Sequence, residues 1–381
     1  MQTSVPRKNK VLFLLHFPPP VHGSSIVGQN IKNSGLINSL FECSYVNLLA
    51  SKNVTDTGKI SLRKLFGFVN IFFKLFFSLL KNRPQICYLA LTATGAAFYK
   101  DCLLIILLKL FRVKRVYHLH NKGIDIHRHK FLNRICYQFV FNKADVIILS
   151  KELYRDIQHF VPQSNVHICP NGIEDTNKDY ADIASKKEQS AASATKILFL
   201  SNLIETKGVF VLLEALAVLK RKNVLFECTF IGGEADITAS SFNEKKKQLG
   251  LTDEACYEGK KFGKEKQDAF LEAGIFVLPT YYSNECFPLV LLEAMSYSLP
   301  LISTFEGGIP DIVEEGVNGF LVPQKNIEAL AEKLEVLLSN PALGYQMGIA
   351  GRKKYEQEFT LQQFEQTLAI TLQQVIEKKY D

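Results

Sequence analysis

Residues 278–310 read LPTYYSNECFPLVLLEAMSYSLPLISTFEGGIP and contain the alternation that decides the fold. The apolar run Ile275–Leu278 predicts a buried strand that ends at Pro279, and the run Pro300–Ser303 predicts the next strand. Between them, residues 290–295 form an apolar, helix-like stretch after a polar loop. This order of strand, helix and strand predicts a parallel sheet covered by helices.

The same alternation extends along the chain in both directions. Further strands are predicted at Val11–Leu15, Gln85–Ala90, Val116–Leu119, Ala144–Leu149, 197–201 and Phe226–Ile231, and helices at Gly208–Lys220 and at about 326–339, 342–357 and 360–378. A polar segment rich in Ala, Ser and Lys at 178–195 predicts a surface linker. We therefore predict two doubly wound, Rossmann-like α/β domains over 1–190 and 191–358, with a final helix over 359–381.

Length and composition exclude several classes of protein. A chain of 381 residues is too long for one ordinary core, and 47% hydrophobic with 22% charged residues is typical of globular chains, not disordered ones. The eight cysteines lack CxxC spacing, which favours reduced thiols over a disulfide framework or a zinc site. Neither a long apolar run nor a signal peptide is recognisable, so we expect a cytoplasmic protein.

The two halves of the chain carry opposite charge. Residues 1–195 contain 26 Lys and Arg against 12 Asp and Glu, whereas residues 196–381 contain 19 against 26. The basic half favours an anionic partner such as membrane lipid or an anionic substrate. Nucleic acid is disfavoured, because no dense basic tract is interleaved with aromatic residues and no recognition-helix motif is present.

Glu285 and Glu293 are the most informative polar residues of the opening stretch. Eight positions span about two helical turns, so both carboxylates can face one side near a helix start. Ionised carboxylates only accept hydrogen bonds, which suits them to the vicinal hydroxyls of a sugar or a ribose. The alternative is two solvated glutamates, but Glu293 lies among apolar residues, where an unpaired charge is costly.

Seven segments, in order, resemble the retaining glycosyltransferases of family 4, which have the GT-B fold. They are the loop at 18–25, YHLHNKG at 117–123, ICPNGIE at 168–174, FLSNLIETKG at 199–208, FIGG at 230–233, the opening stretch, and EGGIPDIVEEGVNGFLVP at 306–323. The resemblance implies two domains facing across a cleft, with the final helix returning to the N-terminal domain. It also implies a UDP- or GDP-sugar donor, transfer without a metal ion or other cofactor, and a glycan or polyprenyl-diphosphate-linked acceptor in surface-polysaccharide synthesis.

By this resemblance, Glu285 holds hydroxyls of the donor sugar and Glu293 the ribose. The segment Phe287, Pro288, Leu289 and Val290 binds the donor, and backbone amides around this helix start face the sugar or the pyrophosphate, a role that a helix N-terminus also suits physically.

Lys207 begins a helix, where a lysine can neutralise a leaving pyrophosphate; without the resemblance it would be an exposed loop lysine. The family usually has arginine five positions earlier, where this chain has Asn202. The group that supplies the second positive charge in place of that arginine stays open, and the candidates are Lys122 and the helix dipole after Gly23.

His120 ends a strand at the position where the family supports the reacting sugar, and His118 competes for that assignment. The nearby His127 and His129 suggest a metal site as an alternative. It is disfavoured because no acidic or cysteine ligand shares the spacing. Small residues let the backbone approach a ligand or form ordinary tight turns, and the candidates are Gly23, Gly232, Gly307 and Gly308.

Residues 62–81, LRKLFGFVNIFFKLFFSLLK, have 13 apolar positions among 20. The remaining positions recur at nearly 3.6 residues and carry Arg63, Lys64, Lys74 and Lys81 with no acid. Such a helix is suited to an anionic membrane surface, and we expect peripheral association with the inner face of the cytoplasmic membrane. The alternative is a helix packed on the sheet with its lysines solvated, and the two can hold together.

Two further functions stay open at this point. One is a non-catalytic subunit that binds nucleotide or glycan, suggested by Asn202 and by the single glycine of the first loop. The other is a dinucleotide-dependent oxidoreductase, which is disfavoured because no G-x-G-x-x-G follows a first strand.

Overall fold

The computed structural model describes residues 8–19, 23–49, 62–176 and 196–379, and within Leu62–Leu65 only the backbone. The linker expected at 178–195 therefore lies outside the described residues. The described chain divides into two compact units, the first formed by 8–171 with 361–379 and the second by 172–360. Each unit contains a parallel six-stranded sheet.

The first unit has strand order β2-β1-β3-β4-β5-β6, and all its strand pairs are parallel. Its strands are β1 Asn9–Leu15, β2 Phe41–Asn47, β3 Ile86–Leu91, β4 Lys114–Leu119, β5 Asp145–Ile148 and β6 Val166–Ile168. Its helices are α1 Gly23–Asn33, α2 Gly35–Leu40, α3 Leu62–Asn82, α4 Gly95–Leu110, α5 Ile124–His127, α6 Phe131–Phe141, α7 Tyr154–Ile157 and α15 Leu361–Glu377, with 3-10 turns at Lys151–Leu153 and Gln163–Asn165.

The helices of the first unit cover both faces of its sheet. Helix α4 contacts both α3 and α6, so these three form a row, as right-handed crossovers from β2 through β5 require. Helix α15 contacts α2 and β4. Its side chains Phe364, Leu368 and Leu372 share a buried cluster with Val11 and Phe13 of β1, so the end of the chain completes the core of the first unit.

The second unit has strand order β12-β11-β10-β7-β8-β9, again parallel throughout. Its strands are β7 Lys196–Leu200, β8 Glu227–Ile231, β9 Ala255–Tyr257, β10 Ile275–Val277, β11 Leu301–Thr304 and β12 Gly319–Val322. Its helices are α8 Val209–Arg221, α9 Ala239–Gln248, α10 Gly263–Glu272, α11 Leu289–Ser296, α12 Ile309–Ile312, α13 Ile327–Ser339 and α14 Pro341–Lys354, with a 3-10 turn at Glu205–Lys207 and a π-helical turn at Tyr355–Phe359.

The division between the units falls earlier than the boundary expected at 190. Ile173 donates its backbone N–H to the carbonyl of Phe359 (3.0 Å), and Asp175 accepts a hydrogen bond from the buried Arg352 (3.2 Å). These contacts join residues 172–175 to the second unit, although nothing in their composition indicates it.

The two-sheet α/β architecture agrees with the prediction, but four strands were missed. They are β2, β6, β9 and β12, each of which pairs along one side only and lies at an edge of its sheet. Strands β2, β6 and β9 contain exposed positions and lack the continuous buried apolar run that marks a buried parallel strand, so periodicity does not reveal them. Strand β12 is apolar and mostly buried, and it was missed although it has such a run. In the described parts of the chain, no helix is long and apolar enough to cross a membrane.

Candidate active site

The candidate residues of the second unit lie in loops that follow four neighbouring strands. Asn202 and Lys207 follow β7, Gly232 follows β8, Glu285 follows β10, and Gly307 follows β11. In the sheet, β8 and β9 lie on one side of β7, and β10, β11 and β12 lie on the other. The position between β7 and β10 is therefore a topological switch point. Ligands of open α/β sheets bind at the carboxyl ends of the strands at such a point.

Lys207 and Glu285 meet across this switch point. The ammonium of Lys207 contacts Oε2 of Glu285 in an ion pair, and their side chains are only 15% and 11% exposed. The Lys207 ammonium also lies 5.0 Å from the centre of the Tyr282 ring. Backbone hydrogen bonding fixes the two loops, because the Tyr281 N–H donates to the carbonyl of Thr206 (2.7 Å). A cation and a hydroxyl acceptor are therefore held side by side.

Gly307 allows the next loop to lie directly on Glu285. Its φ is +57°, and a Cβ at this position would lie 2.2 Å from the carbonyl oxygen of Glu285. The N–H of Gly308 donates to the carbonyl of Cys286 (2.7 Å), which ties the same two loops together. Glu306 accepts a hydrogen bond from Gln324 (2.5 Å), a contact that the motif did not reveal. Glycine is thus required at 307 by packing as well as by backbone conformation.

Glu293 has its own cation. Its carboxylate lies 2.7 Å from the ammonium of Lys266, which α10 supplies, and its side chain is half-buried. The two glutamates therefore have different lysine partners. Lys266 was missed because it is 27 positions away on another helix.

Asn202 lies against the loop after β8. Its Oδ1 accepts a hydrogen bond from the N–H of Gly233 (3.1 Å). A Cβ at Gly232 would lie 1.8 Å from the carbonyl oxygen of Ser201, so this loop also needs glycine. A Cβ at Gly233 would lie 3.2 Å from Nζ of Lys260, which places a cation beside Asn202. Lys260 was missed because it follows β9, an edge strand that was not recognised.

The segment from Phe287 to Val290 begins α11. Phe287 is buried and packs edge-on against Phe359, with ring centres 5.7 Å apart. Pro288 precedes the first helical residue, Leu289, and Leu289 and Val290 are half-buried. Because the side chain of Phe287 packs in the core, a ligand at this segment would contact its backbone.

His118 and His120 occupy the end of β4 in the first unit, with ring centres 4.1 Å apart. His118 is fully buried, and its Nδ1 lies 2.5 Å from the hydroxyl of Tyr88. Burial and the neighbouring His120 hold the pKa of His118 well below its usual range, so His118 is neutral. His120 is half-buried in the loop after the strand. Of the two competing histidines, His120 is the more accessible.

Gly23 is the first residue of α1, and among the described residues no atom lies within 4 Å of a Cβ built there. Close approach occurs instead at Gly28, where a Cβ would lie 2.1 Å from the carbonyl oxygen of His16. The glycine that packing requires therefore lies five residues after Gly23, within α1, and the approach of Gly23 to a phosphate stays a prediction.

Helix α3 has one buried side and one exposed side, and it contacts β2 of the sheet. Its side chains Ile71, Leu75 and Leu79 are buried, whereas Phe66 and Phe77 are 72% and 62% exposed. Lys74 and Lys81 are exposed as well, so cations and aromatic rings share the outer side. The side chains of Arg63 and Lys64 lie outside the described residues.

Metal-binding side chains do not cluster in 8–19, 23–49, 62–176 or 196–379: no group of three or more His, Cys, Asp or Glu is suitable for an ion there. Near the histidine-rich segment, Asp125 instead pairs with Arg128 (2.7 Å) and lies 3.5 Å from His159.

Comparison with known families gives a match over residues 181–354 to the family described as glycosyl transferases group 1. The chain is 29% identical over 262 residues to the putative colanic acid biosynthesis glycosyltransferase WcaL of Escherichia coli, covering 66% of this chain and 62% of WcaL. It is 30% identical over 263 residues to the amylovoran biosynthesis glycosyltransferase AmsK of Erwinia amylovora, with the same coverage of 66% and 62%. The matches thus span about three-fifths of these relatives.

Among solved structures, Anabaena Alr3699/HepE in complex with UDP superposes with a TM-score of 0.71 at 19% identity, covering 96% of this chain and all of that one. This likeness establishes a common fold with a protein that binds UDP.

Proposed function

We propose that the protein transfers a sugar from a nucleoside diphosphate donor to a hydroxyl of a glycan or lipid-linked acceptor, because residues 181–354 match the family described as glycosyl transferases group 1. The observation that carries this proposal is the pairing of Lys207 with Glu285 at the switch point of the second sheet. A diphosphate needs a cation and a sugar needs hydroxyl acceptors, and this pair offers both from adjacent loops.

In the proposed complex, Glu285 accepts hydrogen bonds from hydroxyls of the donor sugar. Lys207, which pairs with Glu285 in the free protein, turns to the diphosphate. Glu293 accepts from the ribose hydroxyls, and Lys266 limits the cost of keeping its carboxylate charged away from bulk water.

We further propose that Lys260 supplies the second cation for the diphosphate. Asn202 uses its carbonyl oxygen to hold Gly233, and its amide brings no charge. Lys260 lies against the same glycine and brings a full charge on a flexible side chain. Lys260→Gln should raise KM for the donor about tenfold, whereas Lys247→Gln, an exposed lysine of α9, should leave it unchanged.

The proposed reaction retains the anomeric configuration by a front-face route. The bond from the anomeric carbon to the diphosphate oxygen breaks with its electron pair going to the diphosphate. The acceptor oxygen bonds to the same face of that carbon, and its proton passes to the departing diphosphate. We propose that Lys207, Lys260 and the start of α11 stabilise the leaving group without a metal ion.

We also propose that the protein works at an anionic membrane surface on a polyprenyl-diphosphate-linked glycan. The exposed phenylalanines and lysines of α3 support this, because an amphipathic surface with cations binds anionic lipid. The likeness to WcaL and AmsK, both named for polysaccharide biosynthesis, supports a glycan acceptor.

The transferase proposal is tested by release of nucleoside diphosphate from a panel of UDP- and GDP-sugars in EDTA, with and without extracted lipid-linked acceptors. We expect release from one donor, increased by acceptor and lost in Glu285→Gln. Glu244→Gln, an exposed carboxylate of α9, is the matched control. UDP binding without release from any donor would refute transfer and favour a binding subunit.

The membrane proposal is tested by flotation with vesicles of phosphatidylglycerol and phosphatidylcholine. Replacing Phe73 and Phe77 with serine should weaken flotation about tenfold, because two exposed aromatic rings are removed from the lipid. Phe262→Ser removes a ring that is 73% exposed in the second unit and should have no effect. Equal flotation of all three proteins would refute the role of α3.

A further inference from the structure

An apolar groove runs between α4 and α6 on the first unit. Its walls are Leu103, Ile106 and Leu110 from α4 and Ile135 and Phe139 from α6, and it encloses about 710 Å³. Each of these five side chains is also exposed to solvent. An open apolar groove of this size is in the range that binds small hydrophobic ligands.

A basic pocket of about 360 Å³ continues the groove at the C-terminal end of α4. Lys109 lines both, and the pocket adds four further cations without any carboxylate among its lining residues, namely Arg112, Lys114, Arg115 and Lys143. The apolar groove therefore opens directly onto a concentrated positive charge.

The deepest cation of the pocket has unused hydrogen-bonding capacity. Arg115 is only 8% exposed, and its guanidinium donates to the carbonyls of Val113 (3.0 Å) and Lys143 (2.6 Å). Its buried Nε has no hydrogen-bond partner among the described residues. Burial and the charge of Arg115 also lower the pKa of Lys109 to about 8, so a bound anion would stabilise both cations.

The three helices on this side of the first unit carry little negative charge. Helices α3, α4 and α6 contain one acidic residue, Asp101, which is 7% exposed and accepts a hydrogen bond from the N–H of Thr92 (3.0 Å). The apolar groove, the basic pocket and the scarcity of exposed acids on these helices together match a ligand that is part hydrocarbon and part phosphate. A free phosphate would leave the groove empty, and a second copy of this surface would bring cation to cation.

The pocket is remote from the loops at the carboxyl ends of the strands of the first sheet. It lies at the start of β4, whereas His120 follows the end of the same strand, which is six residues or about 20 Å long. A phosphate in this pocket is therefore separated from His120 by the length of the sheet.

We propose that the α4–α6 groove and the basic pocket bind one anionic phospholipid, with a hydrocarbon chain in the groove and the phosphate in the pocket. This proposal rests on the proposed membrane association and adds to it a defined lipid site, distinct from the acceptor. The lipid holds the first unit on the bilayer without taking part in transfer.

The chain contains no tryptophan, so a single introduced one reports on the groove. In Phe139→Trp, we expect dihexanoyl-phosphatidylglycerol below its micelle concentration to shift the emission to shorter wavelength, saturating at one lipid per chain. Dihexanoyl-phosphatidylcholine should bind at least tenfold more weakly, and inorganic phosphate should cause no shift. Phe262→Trp, in the second unit, is the matched control and should not respond.

The basic pocket is tested in the same reporter background. Arg112→Gln should weaken phosphatidylglycerol binding about tenfold, the usual effect of losing a charge-assisted contact, while Lys247→Gln should not change it. Equal binding of the two lipids, equal binding by Arg112→Gln, or a shift with phosphate alone would each overturn the proposal. The proposal would also be overturned if the protein sediments as a dimer and the tryptophan emission shifts on dimerisation in the absence of lipid.

Vesicle flotation separates the failure of this proposal from that of membrane association. Flotation with anionic vesicles, without a saturable response to monomeric lipid, would overturn the lipid site and leave membrane association standing. Loss of flotation as well would overturn both. With a water-soluble acceptor, Arg112→Gln and the parent protein should release nucleoside diphosphate at the same rate, whichever flotation result is obtained.

Discussion

Replacing Gly307 by alanine perturbs the candidate site through one added methyl group. Two terms add at this position. The residue has a φ of +57°, where a non-glycine residue costs about 1 kcal/mol, and the new Cβ would lie 2.2 Å from the carbonyl oxygen of Glu285. Since the obstructing atom belongs to the backbone, the loop must move, at a further cost of about 2 kcal/mol.

Gly316→Ala separates the two terms. Gly316 has a φ of +76°, but among the described residues nothing lies within 4 Å of a Cβ built there. It should lose only the conformational term, about 1 kcal/mol. In a unit of this size, where 1 kcal/mol corresponds to roughly 3 °C, we expect Tm to fall by about 9 °C for Gly307→Ala and about 3 °C for Gly316→Ala.

The same displacement should affect transfer. The carbonyls that the new methyl group pushes away belong to Glu285 and Cys286, so Glu285 leaves its position beside Lys207. A displacement of about 1 Å typically costs about 100-fold in rate, and we expect that loss in kcat/KM for Gly307→Ala and none for Gly316→Ala.

Differential scanning calorimetry and steady-state kinetics with the identified donor measure both quantities. Equal Tm changes in the two variants would show that the contact with Glu285 does not matter. A kcat/KM within twofold of the parent in a folded Gly307→Ala protein would refute the placement of Glu285 at the donor sugar.

Three further outcomes follow from the buried polar groups. Lys207→Met and Glu285→Gln should each lower stability by about 2 kcal/mol, because either single change leaves the charge of the other residue largely buried and unpaired. The double variant should lose less than the sum of the two. Calorimetry of the parent, the two single variants and the double variant measures the coupling. Lys114→Met removes the ammonium that contacts the last carbonyls of α15, and amides of α15 should exchange faster with deuterium, with a loss of about 1 kcal/mol. Burial raises the pKa of Asp101 to about 7, so between pH 4 and 7 the folded chain keeps a proton that the unfolded chain has lost. The free energy of unfolding should therefore fall from pH 4 to 7. Denaturant unfolding of Asp101→Asn should show a smaller fall in that free energy over the same range.

Much of the fold was predictable because central parallel strands are apolar throughout. The runs around β1, β3, β4, β7, β10 and β11 stand out from the polar loops, and their alternation with helices implies two parallel sheets. The edge strands β2, β6 and β9 were not predictable in this way, since each contains exposed side chains, and the mostly buried β12 was missed as well. One consequence was that Lys260, which follows β9, went unnoticed.

The candidate site was predictable as a set of residues but not as a set of contacts. Spacing singled out Glu285 and Glu293, and the resemblance to a known family added Lys207. The lysine partner of Glu293, the contact of Gly307 with the Glu285 carbonyl and the buried state of His118 depend on segments far apart in the chain. Periodicity and spacing describe only neighbours along the sequence, so they cannot reveal such pairs.

The sequence by itself determined the two-sheet α/β architecture, because hydrophobic runs and their intervals are local properties that burial in a parallel sheet requires. It also determined the charge asymmetry and the amphipathic pattern of Leu62–Asn82. Only the tertiary structure decided which cation faces which carboxylate and which apolar side chains of α3, α4 and α6 stay in solvent. Those outcomes depend on strand order and helix packing, which bring together residues that the chain holds far apart.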